Sequence, residues 1–580
     1  MKGQLHSSQP QTQGQVLLTV MIMLGISGVL VAGVYSYAKT AERLNQRNND
    51  YLVALCAAEA STEKVLSQMT SDFRDYGDGY LQQNLGHYRS MTPSPSEVGD
   101  WANFDFEDLS GQTNRVEVQF TSLNGFSPIG GQYGQLLGFN DQIMILSNAK
   151  VRNSRESVVG SVYQDINLTR IPIYQYAIFF NVVLEFTPLP PMVVTGPVHC
   201  NTNIWMNPSG SLTFNNNVTS GGTIYQGANP ASPMPLLGGT VTYNAAHDSG
   251  VSTMSLPIGT NNSAAAVQQI LFMPPALEDP QSSIGQERYY NKADLVIIVS
   301  NNTVVAESGL ATSFAYSLAT NELSSFLSTN VSFYNKREAK TIQTIQIDVG
   351  KLVQWNATNT SLRPHLALQD VRTIYISDQR TLPSGSESGV RLVDGSTLPP
   401  QGLTVATPSP VYIQGNYNVV SSALGTTNTT QSLPASIVAD AVTVLSTSWN
   451  DSNSSKSLSS RIAGNTTVNA ALLTGIVASS SLSDSGGVEN FPRFLEDWTG
   501  NTFTYNGSII CMYYSSIATG LWKGIGSTYD IYNPPNRNWA WDQNFQYRNK
   551  LPPGTPCLTV LVRSKWRTPS AFTTNTLAGF

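Results

Sequence analysis

Charged side chains are scarce in this chain. Asp, Glu, Lys and Arg make up 12% of its 580 residues, whereas soluble domains typically carry about 25%. With 32 Lys and Arg against 38 Asp and Glu, the net charge is -6, so the surface has no basic field to attract a phosphate backbone. The composition disfavours a nucleic-acid partner. It favours an exported, β-rich protein whose surface is covered by hydroxyl and amide groups.

Cysteine is equally rare. Four cysteines in so long a chain do not make a disulfide scaffold, and none is spaced as CxxC, the usual pattern of a zinc site. Cys56 and Cys200 lie far apart in the sequence, whereas Cys511 and Cys557 flank one aromatic-rich segment. In an exported protein these last two are predicted to form a disulfide. The alternative is a pair of buried thiols that pack as small hydrophobic residues.

Motifs that carry catalysis, metals or cofactors are also missing. The five histidines are isolated, and the chain contains no GxSxG elbow, phosphate loop or EF-hand loop. His199 and Cys200 are adjacent, and adjacent residues on a strand point to opposite faces, which favours a hydrogen-bonded turn histidine over a metal ligand. Asp451 and Asn453 fit a solvated loop better than a calcium site. We therefore expect no cofactor and no metal.

One enzymatic alternative stays open, a parallel β-helix that acts on polysaccharide through carboxylates in a groove. The acidic residues that could act on the sugar and the aromatic residues that could stack on it are Asp440, Glu489, Glu496, Asp542, Tyr505, Tyr513, Trp539 and Trp541. Glu489, Arg493 and Glu496 lie within one or two helical turns, if that segment is helical, and can pair with one another on a surface. Aromatic residues more often build a core. The sequence therefore predicts no enzymatic activity.

The clearest positive feature is a long apolar run. From Val16 to Ala38 the chain has no charged residue, and a helix needs roughly 20 such residues to cross a membrane. A cleaved secretory signal is an alternative, because the Ala-containing stretch SYAKTA follows. Lys39, Arg43 and Arg47 follow the run, so charge counting alone would leave the N-terminus outside. The charge-poor remainder instead favours a single inner-membrane span with an exported body.

Helical periodicity continues beyond this run. Apolar residues recur at spacings of three, four or seven, which is the pattern of one stripe along an amphipathic helix. These residues are Leu44, Tyr51, Leu55, Ala58, Val65 and Met69. The sequence thus predicts a membrane helix that continues as a stalk over residues 15–70.

The N-terminus resembles that of PilX-type minor pilins of type IV pili. It has a short polar leader that ends at Gly14, an apolar span directly after it, and the stretch Ala57-Ala58-Glu59-Ala60 followed by Glu63 and Leu66. The resemblance implies that a prepilin peptidase cuts after Gly14 and leaves Gln15 as the new N-terminus. It also implies that the span packs with those of other pilin-like subunits. A plain signal anchor is the alternative.

Thr19 departs from the pilin pattern. After cleavage it stands where major pilins carry a glutamate, whose carboxylate is thought to neutralise a neighbour's amine in apolar surroundings, where an unpaired charge is costly. Repeated incorporation along a fibre is therefore not expected. The departure favours a tip, initiating or membrane-retained subunit.

The remainder of the chain predicts a mainly β fold. Very short β-prone runs, each closed by Gly, Asn or Pro, favour a β-solenoid-like (parallel β-helix) body, although a β-sandwich remains an alternative. Examples of these runs are VVTG, NIWM, SLTF, NVTS and TIYQ. The predicted segments are a leader (1–14), a transmembrane and stalk helix (15–70), a pilin-like α/β region (71–170), the solenoid-like body (171–480) with an inserted lobe at about 240–380, and an aromatic-rich C-terminal cap (481–580).

The body also resembles an uncharacterised pilus-associated family of large bacterial proteins with a PilX-type N-terminus. The matching stretches include IPIYQYAIFF, GPVHCNTNIWMNPSGSLTFNNNVTS, GLTVATPSPVYIQGNYN and GGVENFPRFLEDW. This resemblance implies no activity. The expected function is a non-enzymatic structural or adhesive subunit of a type IV pilus or pseudopilus, with the body in the periplasm or at the cell surface. Its expected partners are pilin-like subunits, the inner membrane, the prepilin peptidase and an unidentified extracellular ligand.

Overall fold

The computed structural model describes residues 13–130, 133, 135–155, 157–307 and 320–568. The leader therefore lies almost wholly outside the described residues. One long helix starts the described chain, and shorter helices are scattered through the rest. The helices are α1 (Gln13–Tyr76), α2 (Asp78–Gln83), α3 (Leu85–Arg89), α4 (Ala264–Gln268), α5 (Ser283–Glu287), α6 (Tyr289–Lys292), α7 (Thr320–Leu323) and α8 (Val349–Thr358).

Strands make up most of the remaining regular structure. Those of the first half are β1 (Phe104–Glu107), β2 (Glu117–Pro128), β3 (Leu137–Val151), β4 (Val159–Pro172), β5 (Ile178–Phe180), β6 (Leu184–Phe186), β7 (Met192–Val194), β8 (Val198–Cys200), β9 (Ile204–Met206), β10 (Ser211–Phe214), β11 (Val218–Ser220), β12 (Ile224–Gln226), β13 (Thr240–Tyr243) and β14 (His247–Ser249). Those of the second half are β15 (Leu295–Val299), β16 (Val304–Glu307), β17 (Leu327–Asn335), β18 (Lys340–Asp348), β19 (Thr373–Asp378), β20 (Ser386–Val393), β21 (Leu403–Ala406), β22 (Val411–Gln414), β23 (Ala435–Ala439), β24 (Val442–Leu445), β25 (Thr466–Asn469), β26 (Ala471–Thr474), β27 (Pro492–Phe494), β28 (Thr502–Gly507), β29 (Ile509–Cys511), β30 (Asn536–Trp541) and β31 (Cys557–Arg567). The protein is thus mainly β with a long N-terminal apolar helix, as the sequence predicts.

An antiparallel sheet lies against α1. β3 pairs with β1 and β2 along one edge and with β4 along the other, and β31 pairs with β4. The last strand of the described chain therefore belongs to the same sheet as residues 104–172. This pairing joins segments that are far apart in sequence, and the sequence pattern did not indicate it.

Parallel strands form most of the rest of the body, in which only β16 and β17 among the described strands pair antiparallel, with β15 and β18. From β5 to β14 the chain runs through three sheets in turn, so that β5, β8, β11 and β14 are neighbours in one sheet, β6, β9 and β12 in a second, and β7, β10 and β13 in a third. The register is kept from turn to turn: Ile178 is opposite Val198, and Val198 is opposite Val218. Each turn therefore contributes to one continuous apolar core.

The second half of the chain winds in the same manner and ends against the first half. β15, β19, β21, β23, β26 and β29 are successive parallel neighbours, and β29 then pairs with β5, with Ile509 opposite Ile178. The segment from residue 481 was expected to cap an end of the body. Instead, β29 lies inside the large sheet between β26 and β5, because the second winding runs back to the point where the first one starts.

The segment expected as an inserted lobe is divided in the structure. β15 and β19 belong to the large parallel sheet, whereas residues 250–292 cross the outer face of that sheet. There, Val267, Leu271 and Tyr289 share a buried cluster with Tyr375 and other side chains of the sheet. The central strands are therefore buried on both faces, which accounts for their nearly continuous apolar sequence.

Candidate functional site: the N-terminal helix and its sheet

The first part of α1 is apolar and uncovered. Its large side chains are mostly more than half exposed, including Val16 (63%), Leu24 (66%) and Val29 (73%). A contiguous apolar surface of this kind marks a membrane or protein contact. Among the described residues, α1 is the one helix that is long and apolar enough to cross a membrane.

Thr19 is accommodated inside this apolar segment without an unpaired polar group. Its Oγ1 donates a hydrogen bond to the backbone oxygen of Gln15 at 2.8 Å, one helical turn earlier. A glutamate at the same position would bring a charge that needs an external partner. Gly14 lies in the first turn of the helix, which begins at Gln13.

The second part of α1 lies against the antiparallel sheet. From Asp50 onward one face of the helix is buried, and Ala54, Ala57 and Ala58 are almost fully covered. Gly160 of β4 allows the helix backbone to approach, because a Cβ at Gly160 would lie 2.3 Å from the backbone nitrogen of Leu55. A lone glycine within a strand pattern is the sequence signal for such an approach.

Larger side chains fill the interface towards the end of α1. Residues of α1 there form one buried cluster with residues of α2, α3 and the sheet. Its buried members are Val65, Leu66, Met69, Phe73, Leu81, Tyr88, Val116, Val118, Ile143, Ile145, Ile166 and Leu168. Since apolar burial contributes about 25 cal/mol per Å², this cluster holds the helix on the sheet.

Polar contacts fix the position of the helix along the sheet. Gln164 Nε2 of β4 donates to Thr62 Oγ1 and to Glu63 Oε1, both at 2.9 Å. Arg563 of β31 forms an ion pair with the same Glu63. The pair is exposed and adds little stability by itself. Together these contacts tie three elements that are distant in sequence.

The four carboxylates considered for catalysis are each held by nearby donors. Asp440 accepts hydrogen bonds from the backbone nitrogens of residues 516–518. Glu496 accepts from Ser446 N at 2.6 Å and Ser446 Oγ at 2.7 Å. Asp542 accepts from Thr429 Oγ1 at 2.6 Å, and Glu489 accepts from Thr187 N. These contacts fix loops of the body to one another.

Glu489, Arg493 and Glu496 do not lie on one helix, contrary to expectation. Residues 488–490 form a single 3₁₀ turn and Arg493 lies on β27. All three side chains are buried, and Arg493 pairs with Glu338, the two groups lying 3.0 Å apart. The parallel register of the body, which the sequence spacing does not show, overrides the helical interpretation.

The aromatic residues that were considered for sugar stacking lie in the apolar core or pack against it. Tyr505 and Tyr513 are buried, and their hydroxyls donate to the carbonyl oxygens of Ala470 at 3.0 Å and Ala439 at 2.9 Å. Trp541 Nε1 donates to the Tyr174 oxygen at 3.1 Å. Tyr505 and Tyr513 are therefore out of reach of an external sugar, whereas Trp539 and Trp541 are only partly buried and pack against the core.

His199 is a buried structural residue. Its ring nitrogens lie 2.8 Å from Thr219 Oγ1 and 3.0 Å from Asn201 Oδ1, and burial lowers its pKa to about 4. The ring is thus neutral at physiological pH. No cluster of three or more His, Cys, Asp or Glu suited to a metal occurs in the part of the chain that the structure describes. Asp451 instead accepts hydrogen bonds from Trp449 and Arg391.

The cysteine pair expected from the sequence is not joined in the structure. Cys511 ends β29 in the apolar core, opposite Phe180, and its Sγ donates to the Tyr513 oxygen at 3.4 Å. Cys557 begins β31 opposite Pro172. Burial raises the pKa of the Cys511 thiol far above its usual value.

Comparison with known proteins yields one weak structural likeness. No protein-family model and no curated protein matches the chain. The competence-associated pilin ComZ from Thermus thermophilus aligns with 90% of this chain and 98% of its own length, at 11% sequence identity and a TM-score of 0.30. At that TM-score the likeness does not establish a common fold.

Proposed function

We propose that this protein is a membrane-anchored, pilin-like subunit of a type IV pilus or pseudopilus, with a non-enzymatic structural or adhesive role. One observation carries the proposal. The single helix α1 is uncovered and apolar in its first part and packed on an antiparallel sheet in its second part. A helix of this kind has two partners, which are lipid or other helices at one end and its own body at the other.

The first part of α1 supplies anchoring and helix packing in this proposal. Residues 16–38 cross the inner membrane, and after assembly they pack with the corresponding helices of other subunits. Residues 39–49 remain helical and, apart from the partly buried Ala41, exposed, and at about 1.5 Å per residue they span roughly 16 Å. This stalk separates the body from the bilayer surface by a fixed distance.

The body supplies the outward surface. Its strand pairing, in which successive turns stack in parallel and in register, supports a β-solenoid. A polar ladder inside it joins stacked turns: Asn506 Nδ2 donates to Asn469 Oδ1 at 2.8 Å, and Asn469 Nδ2 donates to the Asn418 oxygen at 3.0 Å. A rigid body of this form suits display at a pilus tip or cell surface.

Thr19 supports a minor rather than a major subunit. Its hydroxyl is satisfied within the helix, so the span offers no acid to neutralise a neighbour's N-terminal amine. The absence of a catalytic constellation among the described carboxylates favours the non-enzymatic role, because each of the four candidates binds neighbouring protein groups.

Localisation of a C-terminally tagged chain tests the proposal. Immunogold labelling should follow the inner membrane and the ends of surface fibres, and deletion of the gene should change the number of fibres. Replacing Leu24 and Val29 by Arg should release the protein from the membrane, because each charge at the helix centre costs about 2.5 to 3.5 kcal/mol. The control variant carries Arg at Leu44 and Leu52, outside the span. A protein found soluble in the cytoplasm would contradict the proposal.

A further inference from the structure

A cleft of about 210 Å³ opens on the side of the body. Five segments distant in sequence line it. They are the loop 187–190 after β6, Met234, residues 489–490, residues 522–525 and the start of β30 with the residues before it, 532–537. Pro188, Pro190, Pro534 and Pro535 form part of its walls. Because proline fixes its own φ, these walls keep one shape, and a ligand would not have to order them on binding.

One wall is held by a chain of hydrogen bonds. Trp522 Nε1 donates to the Tyr532 hydroxyl at 3.0 Å, and that hydroxyl donates to Asn490 Oδ1. Asn490 Nδ2 in turn donates to the Gly486 oxygen at 2.5 Å. These bonds fix the Trp522 indole, which is partly buried and lines the cleft.

The charged groups of the cleft are Glu489 and Arg537. Arg537 Nη2 donates to the Glu489 backbone oxygen at 3.0 Å, and the Glu489 carboxyl is held by Thr187 N. The Nε of Arg537 is buried and has no hydrogen-bond partner among the described residues. A buried guanidinium N–H normally has an acceptor. The Nε atom is too buried for a ligand to reach, so the cleft instead offers the Nη1 nitrogen of Arg537, which is not buried and forms no hydrogen bond with a described group.

Glu489 limits the charge that the cleft accepts. Burial raises its pKa to about 7, against the attraction of Arg537, so near neutral pH its carboxyl can donate or accept a hydrogen bond. One guanidinium beside one carboxyl suits a monoanion better than a dianion such as phosphate. The volume is below the range of about 300 to 1,000 Å³ that is usual for drug-sized ligands, so a single ring fills it.

We propose that this cleft binds a uronic-acid residue of an acidic polysaccharide. The sugar carboxylate accepts hydrogen bonds from Arg537, the apolar face of the ring lies on Trp522, and Glu489 and Asn490 contact hydroxyl groups. Glu489 is the one carboxyl among the residues that line the cleft. A glycosidase uses two, about 5 to 10 Å apart, so the cleft binds the sugar without cleaving it. The inference goes beyond the proposed function, since it requires neither the anchor nor a pilus.

Titration calorimetry on the full chain in detergent tests the inference. Trigalacturonate and trimannuronate are the probes, and neutral galactotriose is the comparison ligand. We expect saturable binding of at least one uronate and at least tenfold weaker binding of the neutral sugar. Arg537→Gln should weaken uronate binding at least tenfold. The matched control is Arg548→Gln, an exposed arginine outside the cleft, which should bind as the unmodified chain does.

A second variant separates loss of binding from loss of folding. Asn536 is exposed at the rim, so Asn536→Trp should obstruct the cleft and weaken binding while the melting temperature stays unchanged. Absence of binding by the unmodified chain, equal affinity for galactotriose, or full binding by both Arg537→Gln and Asn536→Trp would overturn the inference. Competition by N-acetylphenylalanine as effective as that by the sugar would overturn the glycan assignment. None of these outcomes bears on membrane anchoring, which the localisation experiment measures separately.

Discussion

Gly160 of β4 lies directly beneath Leu55 of α1, so close that a Cβ on the glycine would be 2.3 Å from the Leu55 nitrogen. The contact is backbone against backbone, and neither element can yield by rotating a side chain. It sets the distance between α1 and the sheet, and so the attachment of the body to the apolar first part of the helix.

Gly160→Ala should destabilise the protein. The added methyl group forces the helix away from the sheet, and overpacking of this kind costs about 1 to 3 kcal/mol. Chemical denaturation followed by circular dichroism measures the loss. Gly99→Ala is the control, because a Cβ there meets nothing within 4 Å and a surface substitution usually changes stability by less than about 0.5 kcal/mol. Equal stability of the two variants would contradict the close approach.

Removal of the exposed apolar residues 16–38 should leave a soluble chain only if the covered part of α1 is kept. A chain that begins at Ala41 retains Ala58, Val65 and Met69, which cover the sheet, and should be monomeric by size-exclusion chromatography. A chain that begins at Asp72 exposes that apolar face and should aggregate or bind a hydrophobic dye. A monomeric, cooperatively unfolding chain from Asp72 onward would show that the sheet does not need the helix.

Gly14→Val should block processing of the leader. If a prepilin peptidase cuts after Gly14, the mature chain begins at Gln15, and the variant keeps its leader. Mass spectrometry of the N-terminal peptide distinguishes the two forms. A start near Thr40 in the unmodified protein would instead indicate a cleaved secretory signal.

Three cysteines should differ sharply in reactivity. Cys56 is exposed on α1, whereas Cys200 and Cys511 are buried, and burial raises the pKa of Cys200 to about 11. Since the thiolate is the reactive form, a maleimide at pH 7.5 should label Cys56 in the native protein and the other two only after unfolding. Peptide mapping identifies the labelled sites. Rapid native labelling of Cys511 would contradict its place in the core.

Stability should fall as the pH rises from about 4.5 to about 7. Burial raises the pKa of both Glu489 and Glu496 from 4.5 to about 7, so the folded state holds protons that the unfolded state releases over this range. One pKa unit corresponds to about 1.4 kcal/mol, so each group contributes about 3 kcal/mol to the free energy of unfolding. This contribution is present below pH 4.5 and is lost as the pH rises to about 7. Denaturation curves at several pH values measure the slope.

Glu496→Gln provides the comparison for this slope, because glutamine keeps the shape of the side chain and does not titrate. The variant should show a shallower decrease in stability between pH 4.5 and 7 than the unmodified protein. An unchanged slope would show that Glu496 titrates normally in the folded state.

The sequence by itself determined the helix and the general class of the fold. A run without charged residues followed by a regular apolar stripe predicts a helix through local periodicity alone, and α1 runs from Gln13 to Tyr76. Short runs closed by turn residues likewise predict β-structure, because turn chemistry acts between near neighbours. These features need no information about distant contacts.

Only the tertiary structure decided how distant segments meet. The pairing of Ile178 with Ile509, the position of β31 beside β4, and the meeting of Arg537 with Glu489 join residues far apart along the chain. Residues that lie close in sequence, such as Glu489 and Arg493, received different partners. Pairing between strands depends on backbone hydrogen bonds that every residue type except proline can supply. Composition and spacing therefore cannot specify which strands become neighbours, and the packing of the whole chain makes that choice.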